Sequence, residues 1–389
     1  MRFSSRLRWA LQPNPLSGLL AAKRAAGSRI LDLTESNPTR AELDYPAAEI
    51  LSALSDERAL LYEPDPTGWR VARQAVAGYY AERGHTIEPE RILLTASTSE
   101  AYGYVFKLLT EPGEEILAPQ PSYPLFEFLA GMELLQIRPY PLLYDEGWRV
   151  DLDVLEQTIG PRTRAIVVVN PNNPTGSYLK RGELARLEEL CAERDLALVA
   201  DEVFADYALA GDADRAETLA NTERALTFSL SGLSKVVALP QMKLGWLVVS
   251  GPKQIAQQAM ERLELIADTY LSVGTPVQVA LPGLLALRHT MAEQIRRRLR
   301  ANLNFLRERA AGSACRVLRM EGGWYAILQV PRTRTEEAWV LELLDQDDVL
   351  VQPGFFYDFE TEAFLVLSLL TPPAIFKEGV ERIIFRTGG

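Results

Sequence analysis

Histidine and cysteine are nearly missing from this sequence, and each scarcity closes off a class of chemistry. Its two histidines, His85 and His289, and its two cysteines, Cys191 and Cys315, lie far apart and without metal-ligand spacing. A zinc site or a disulfide framework is therefore excluded, no metal is expected, and both cysteines are expected as buried small hydrophobes in a reducing compartment. Long apolar runs are also lacking, so no bilayer-spanning segment is predicted. The basic start, with Arg2, Arg6 and Arg8, is interrupted at Gln12, Pro13, Asn14 and Pro15 before any continuous apolar stretch can form a secretory signal. A cytoplasmic protein is expected. Excess positive charge is absent too: the net charge is -11, which argues against nucleic acid as a partner because phosphate backbones are bound through clustered Lys and Arg. Small anionic ligands need only local positive charge and stay possible.

What is present is ample apolar residue content over 389 residues, enough for two lobes. The chain alternates strand-like runs with helical ones, and a polar loop follows each strand. Residues 91 to 95 read as a strand, followed by Ser97, Thr98 and Ser99 and a helix from Glu100 to Leu109. That order brings the free N-H groups of a helix start to the strand's end, an arrangement that favours a phosphate and is also ordinary Ser/Thr capping. The strand at Glu115 to Ala118 leads to a proline-stiffened loop displaying Tyr123. Arg164 to Val169 reads as a strand buried on both faces, ending in the run from Asn170 to Gly176, whose two Asn-Pro steps aim Asn173 into the strand-end crevice. Asp201 follows the buried strand Leu196 to Ala200, and there it can cap the next element or hold a buried cation. Lys235 closes the stretch from Thr227 through Ser229, Ser231 and Gly232, with Lys243 a little further on. Taken singly, Lys235 reads as an ordinary solvated lysine; together with the other strand-end residues it reads as an amine for an aldehyde. The run Arg296, Arg297, Arg298 and Arg300 reads as a solvated helix face, and residues beyond about 312 read as a smaller α+β lobe.

The fold class expected is α/β, a mainly parallel sheet flanked by helices, with a large lobe over 45–284 and a small lobe built from 1–44 and 285–389. A phosphate site, a ring-stacking aromatic, an amide, an acid and an amine at successive strand ends match pyridoxal 5'-phosphate group by group.

On these motifs the chain resembles the fold type I pyridoxal-phosphate enzymes, specifically the class I and II aminotransferases similar to aspartate aminotransferase, from Ser36, Asn37 and Pro38 to the segment around Ser368. The resemblance implies that Lys235 forms the internal aldimine and shuttles the proton, that Asp201 keeps the ring nitrogen protonated, that Tyr123 stacks on the ring and that Asn173 bonds its 3'-oxygen. It implies that Ser97, Thr98 and Ser99 hold the phosphate, and that Tyr62 reaches it from the partner subunit of a homodimer. Asn37, Asn173 and Tyr62 are the implied substrate contacts. The chain departs from the family pattern at four places. Gly232 stands where a phosphate-binding serine is usual, with Ser231 or Ser229 as the stand-in. Lys243 replaces an arginine, Phe204 replaces a tyrosine beside the 3'-oxygen, and Val366 replaces the arginine that grips the substrate carboxylate, so that either another group binds it, with Asn173 and the Asn37 loop as candidates, or the substrate is not a standard α-amino acid. The activity implied is transamination between an amino donor and a carbonyl or keto acid acceptor. A β-eliminating lyase or decarboxylase on the same cofactor and a non-catalytic, pyridoxal-phosphate-binding ligand sensor are the alternatives; the sensor is disfavoured by the lack of a basic face and of room for a preceding helix-turn-helix.

Overall fold

The structure, a computed structural model, describes residues 3, 4, 6 and 13–388; Arg2, Arg8 and Gln12 of the basic start lie outside them. In chain order the strands are β1 (Leu31–Asp32), β2 (Ile92–Thr95), β3 (Glu115–Gln120), β4 (Gln136–Tyr144), β5 (Trp148–Val150), β6 (Thr163–Val169), β7 (Ala197–Asp201), β8 (Thr227–Gly232) and β9 (Gly245–Ser250). All but β1 join one eight-stranded sheet in the order β2-β9-β8-β7-β6-β3-β4-β5. Strands β4, β3, β6, β7 and β8 run parallel, while β9 is antiparallel to both β2 and β8, and β5 to β4.

The uninterrupted apolar run in β6 is explained by burial on both faces. Ala165 and Val167 pack with Tyr102, Val105 and Phe106 of the helix Thr98–Leu109, whereas Ile166 and Val168 pack with Leu187 and Leu190 of the helix Arg181–Arg194 on the other side. Because the parallel strands all end on one edge, their following loops gather there, as expected for an open α/β sheet.

A second sheet follows: β10 (Arg316–Val317), β11 (Tyr325–Gln329), β12 (Val349–Leu350), β13 (Gln352–Pro353) and β14 (Phe364–Ser368). Four of these form an antiparallel sheet ordered β10-β11-β14-β13, and β12 pairs in parallel with β1. The extended run around Leu31 is thus a two-residue strand that ties the N-terminal arm to residues 349 and 350. Its core takes in Leu31, Leu33, the helix Arg288–Ala310 and the helix Pro373–Arg386. Glu336, buried beside it, accepts hydrogen bonds from the backbone N-H groups of Phe355 and Phe364, both at 2.7 Å.

The arginine run departs from its expected solvated face. Arg298 donates to the carbonyls of Ala41 and Leu370 at 2.9 and 3.2 Å, and Arg296 to that of Asp206 at 3.2 Å. Only Arg297 and Arg300 are exposed. The long guanidinium stems reach loop carbonyls that lack sheet partners, which a charge pattern alone does not reveal.

Candidate active site

At the strand ends lies a cleft of about 410 Å³ lined by Lys235, Asp201, Asn173, Tyr123, Phe204, Lys243 and the segment Ser97 to Ser99. They arrive from several loops, Asp201 and Phe204 from the end of β7 and Lys235 and Lys243 from the connection between β8 and β9. Asp201 ends β7 and sits in register with Leu230 of β8, the strand whose end delivers Lys235. The Lys235 main chain is fixed by a hydrogen bond from the Tyr207 hydroxyl to its carbonyl. Its Nζ lies 4.5 Å from the ring centre of Trp324 and 5.4 Å from that of Phe204, and among the described residues it forms no ion pair. Burial pushes the Lys235 amine down to about 8, with the Asp201 carboxylate pulling the other way. Burial also pushes Asp201 up to about 6, opposed by the N-H of Val203 at 3.1 Å, the Tyr102 hydroxyl at 3.2 Å and the Lys235 charge. One group is therefore a partly deprotonated amine near neutral pH, and the other a carboxylate awaiting a cation.

Asn173 is buried, and its Oδ1 has no hydrogen-bond partner, so the amide keeps capacity for a ligand. The loop holding it is pinned to the second sheet: Glu321 and Gly322 donate their N-H groups to the Gly176 carbonyl at 3.1 and 2.9 Å. Gly176 has φ +67°, and a Cβ there would lie 2.3 Å from the Gly322 oxygen, so no larger residue fits. Lys180 reinforces the junction by pairing with both Asp212 and Glu321 at 2.7 and 2.8 Å. The Tyr123 loop is held likewise, with Asn172 donating to the Pro121 carbonyl at 3.1 Å and Ser122 to that of Tyr357 at 3.0 Å.

The helix Thr98–Leu109 starts at the opposite end of the cleft, capped by Ser97, which accepts from the N-H of Glu100 at 3.2 Å. Gly245 allows that start to approach β9: a Cβ on it would meet the Thr98 nitrogen and the Ser97 carbonyl carbon at 3.2 and 3.1 Å. Lys243 is exposed beside it in the left-handed conformation, φ +51°. A helix start, small hydroxyls and one lysine make a cradle suited to a phosphate. These donors fit the phosphate, ring and aldehyde of pyridoxal phosphate.

Two expected site residues, Ser231 and Asn37, are off the cleft lining, and Tyr62, expected from a partner subunit, lies outside this chain's own cleft. Ser231, and Ser229 with it, is buried within β8, its Oγ unpartnered, and does not line the cleft; strand alternation turns it away, and Ser234 beyond the strand end lines the cleft instead. Asn37 spends its side chain on the Thr39 N-H and hydroxyl at 3.0 and 2.8 Å, and its neighbour Ser36 lines the cleft. Tyr62 is 74% exposed and borders a separate surface hollow with Leu271 and Ser272. Val366 is buried in β14 opposite Ile327 and Gln352 and does not reach the cleft.

The sequence reading missed Tyr325, Gln352 and Tyr357, which form the second-sheet wall of the cleft, as well as Trp324, Tyr102 and Tyr207 behind the reacting groups. The only available signal was the pair Gly322 and Gly323 before Trp324, which marks a close backbone approach.

Comparison with known proteins gives a consistent result. A family profile described as aminotransferase class I and II matches residues 28–383. Glutamate-pyruvate aminotransferase AlaA of Escherichia coli strain K12 is 31% identical over 272 residues, covering 69% of this chain and 66% of that protein, just under two thirds of its length. The alanine aminotransferase of Mycobacterium bovis is 29% identical over 388 residues, covering 95% of this chain and 88% of that protein. Among solved structures, an aminotransferase from Escherichia coli superposes with a TM-score of 0.87 at 25% identity, covering 99% of this chain and 98% of the other.

Proposed function

The chain belongs to the class I and II aminotransferase family, and we propose that it uses pyridoxal 5'-phosphate to move an amino group from a small-molecule donor to a carbonyl acceptor. When bound, that cofactor supplies an aldehyde for condensation with amines and a protonated ring that accepts the electron pair left on the substrate carbon. The observation carrying this reading is the juxtaposition of Lys235 and Asp201 at neighbouring strand ends, a depressed amine and a buried carboxylate in one cleft.

In this reading Lys235 provides the amine that holds the cofactor. With its amine free it would take a proton from the substrate carbon as a general base. Asp201, oriented by Tyr102 and the Val203 N-H, holds the proton at the ring nitrogen. Tyr123 would cover one face of the ring, and Asn173 would bond its 3'-oxygen. Phe204 stands beside it without a hydroxyl to share that oxygen. Ser97, Thr98, Ser99, Ser234 and Lys243 cradle the phosphate.

The large lobe is read as 45–284 and the small lobe as 1–44 with 285–389, supported by a second-sheet core drawn mainly from Leu31, Leu33 and Ala41 and from residues after 290, which Trp148, Phe204, Tyr207 and Ala238 join from the large lobe. A homodimer is supported by the surface hollow at Tyr62, where Leu60, Leu61 and Leu271 are also exposed; Tyr62 then serves the partner's cleft. Buried, unpaired Cys191 and Cys315 support a cytoplasmic setting.

The reading is tested by a half-reaction: the loaded enzyme, offered a panel of amines and amino acids without acceptor, converts its cofactor stoichiometrically to the aminated form and releases a carbonyl product. Release of ammonia with the cofactor unchanged would contradict it. For the phosphate end, Lys243→Met weakens pyridoxal-phosphate binding by about tenfold to a hundredfold, because it removes one charge-assisted contact. Equilibrium dialysis reads the change, and an unaltered affinity would remove Lys243 from the cradle.

A further inference from the structure

The cleft has a second wall, away from the phosphate cradle, made by Ser36, Tyr325, Gln352 and Tyr357. All four are uncharged hydrogen-bonding groups. The Tyr357 hydroxyl donates to Gln352 Oε1 and so fixes the amide within the wall. Tyr325 and Tyr357 stand with ring centres 6.4 Å apart. A formal charge acting on this wall is of the wrong sign for an anion. Glu35, next to Ser36, acts on the Tyr325 hydroxyl, which burial foremost raises to about 12, and its carboxylate is held by the Asn37 N-H at 2.8 Å.

Charge across the whole cleft points the same way. Its lining carries the cations Lys235 and Lys243 and the anion Asp201. Both lysines belong to the cofactor end, and a bound phosphate brings roughly -1.5 to -2. With the proton that Asp201 would hold on the ring, the charges of the loaded cleft roughly cancel before a substrate enters, and Glu35 adds negative charge at the Tyr325 hydroxyl. Among the described residues the lining holds no arginine and no cation beyond the two lysines, and a carboxylate drawn into such a partly desolvated site loses its hydration without compensation.

Resting on the aminotransferase reading of this cleft, we infer that its amino donor carries no carboxylate on the reacting carbon. The substrate class is a primary amine whose neighbouring carbon bears a hydroxyl or an amide, together with the matching carbonyl compound. Gln352, Tyr325 and Ser36 hydrogen-bond that uncharged group. The exchange balances without an outside oxidant: the donor carbon gives up its amino group and one hydrogen and gains a carbonyl oxygen, and the acceptor carbon undergoes the reverse.

The test uses enzyme loaded with pyridoxal phosphate and three donors of one carbon skeleton, L-alanine, L-alaninol and L-alaninamide, with kcat/KM read from single-turnover loss of cofactor absorbance. The neutral donors are expected to exceed alanine by about tenfold or more. Glu35→Gln narrows that ratio by improving KM for alanine, and Tyr325→Phe raises KM for alaninol more than it lowers kcat. Alanine reacting as well as its neutral counterparts overturns the inference, and so does conversion by none of the three while borohydride still fixes the cofactor to Lys235. Absence of that covalent label is a separate result, because it defeats the aminotransferase reading itself.

Discussion

Lys235→Ala is expected to lose covalent cofactor attachment and turnover together, with transamination falling by about 10⁴-fold or more, since in the proposed mechanism one side chain serves as both nucleophile and base. No second amine can take its place. Lys243 is exposed in a left-handed conformation, φ +51°, whereas Lys235 Nζ is buried against Trp324 and Phe204. Lys235→Arg is expected to fail as completely, because a guanidinium stays protonated and cannot condense with an aldehyde. The wild-type pH dependence follows from burial. With the amine pushed down to about 8, roughly a tenth of it is unprotonated at pH 7, whereas an ordinary lysine would offer well under a thousandth. Deprotonation is what rising pH favours, so the rate of cofactor capture by the cofactor-free enzyme climbs about tenfold per pH unit below pH 8 and flattens above it. Stopped-flow absorbance reads the capture, and borohydride reduction followed by peptide mapping reads the attachment. A plateau reached only near pH 10, or label on Lys243, would show that burial does not tune this amine.

The large sheet and its strand-end residues were legible because they are encoded locally. A buried parallel strand must be apolar throughout and must end in a polar turn, so Tyr123, Asn173, Asp201 and Lys235 announce themselves by position along the chain. The second wall has no such local sign. Tyr325 and Gln352 reach the cleft only because β11 and β13 flank β14 in one register, with Ile327 and Gln352 both opposite Val366. Shifting either strand by one residue would turn those side chains to the other face. The supports behind the reacting groups are more distant still: Tyr102 lies 99 residues before Asp201, and the two meet only through packing of a helix on the sheet. The misplacement of Ser231 has a narrower cause, because a serine-rich strand end shows which residues are small without showing which of them face outward.

Asp201→Asn separates function from folding more cleanly than any other substitution in the cleft. Turnover is expected to fall by about 10³-fold, because an amide cannot hold a proton at the ring nitrogen as a carboxylate does. The geometry survives: Asn Oδ1 can accept from the Val203 N-H as Asp201 does at 3.1 Å, and the Tyr102 hydroxyl can turn from donor to acceptor. For the cofactor-free enzyme the stability change has the opposite sign. Burial raises the folded-state value to about 6, above the ordinary 3.8, so the carboxylate destabilises the fold increasingly as pH rises through that interval and not at all below it. The Asn variant escapes that cost, at most about 3 kcal/mol at neutral pH, and melts at or above wild type at pH 7, with the gap closing by pH 4. Thermal melts of both cofactor-free proteins across this range check the sign, and a variant several degrees less stable at pH 7 would make Asp201 a structural residue. A cofactor analogue methylated at the ring nitrogen carries its positive charge permanently. It should restore part of the lost rate to Asp201→Asn while giving wild type no benefit, and failure to rescue would mean that Asp201 acts on something other than that proton.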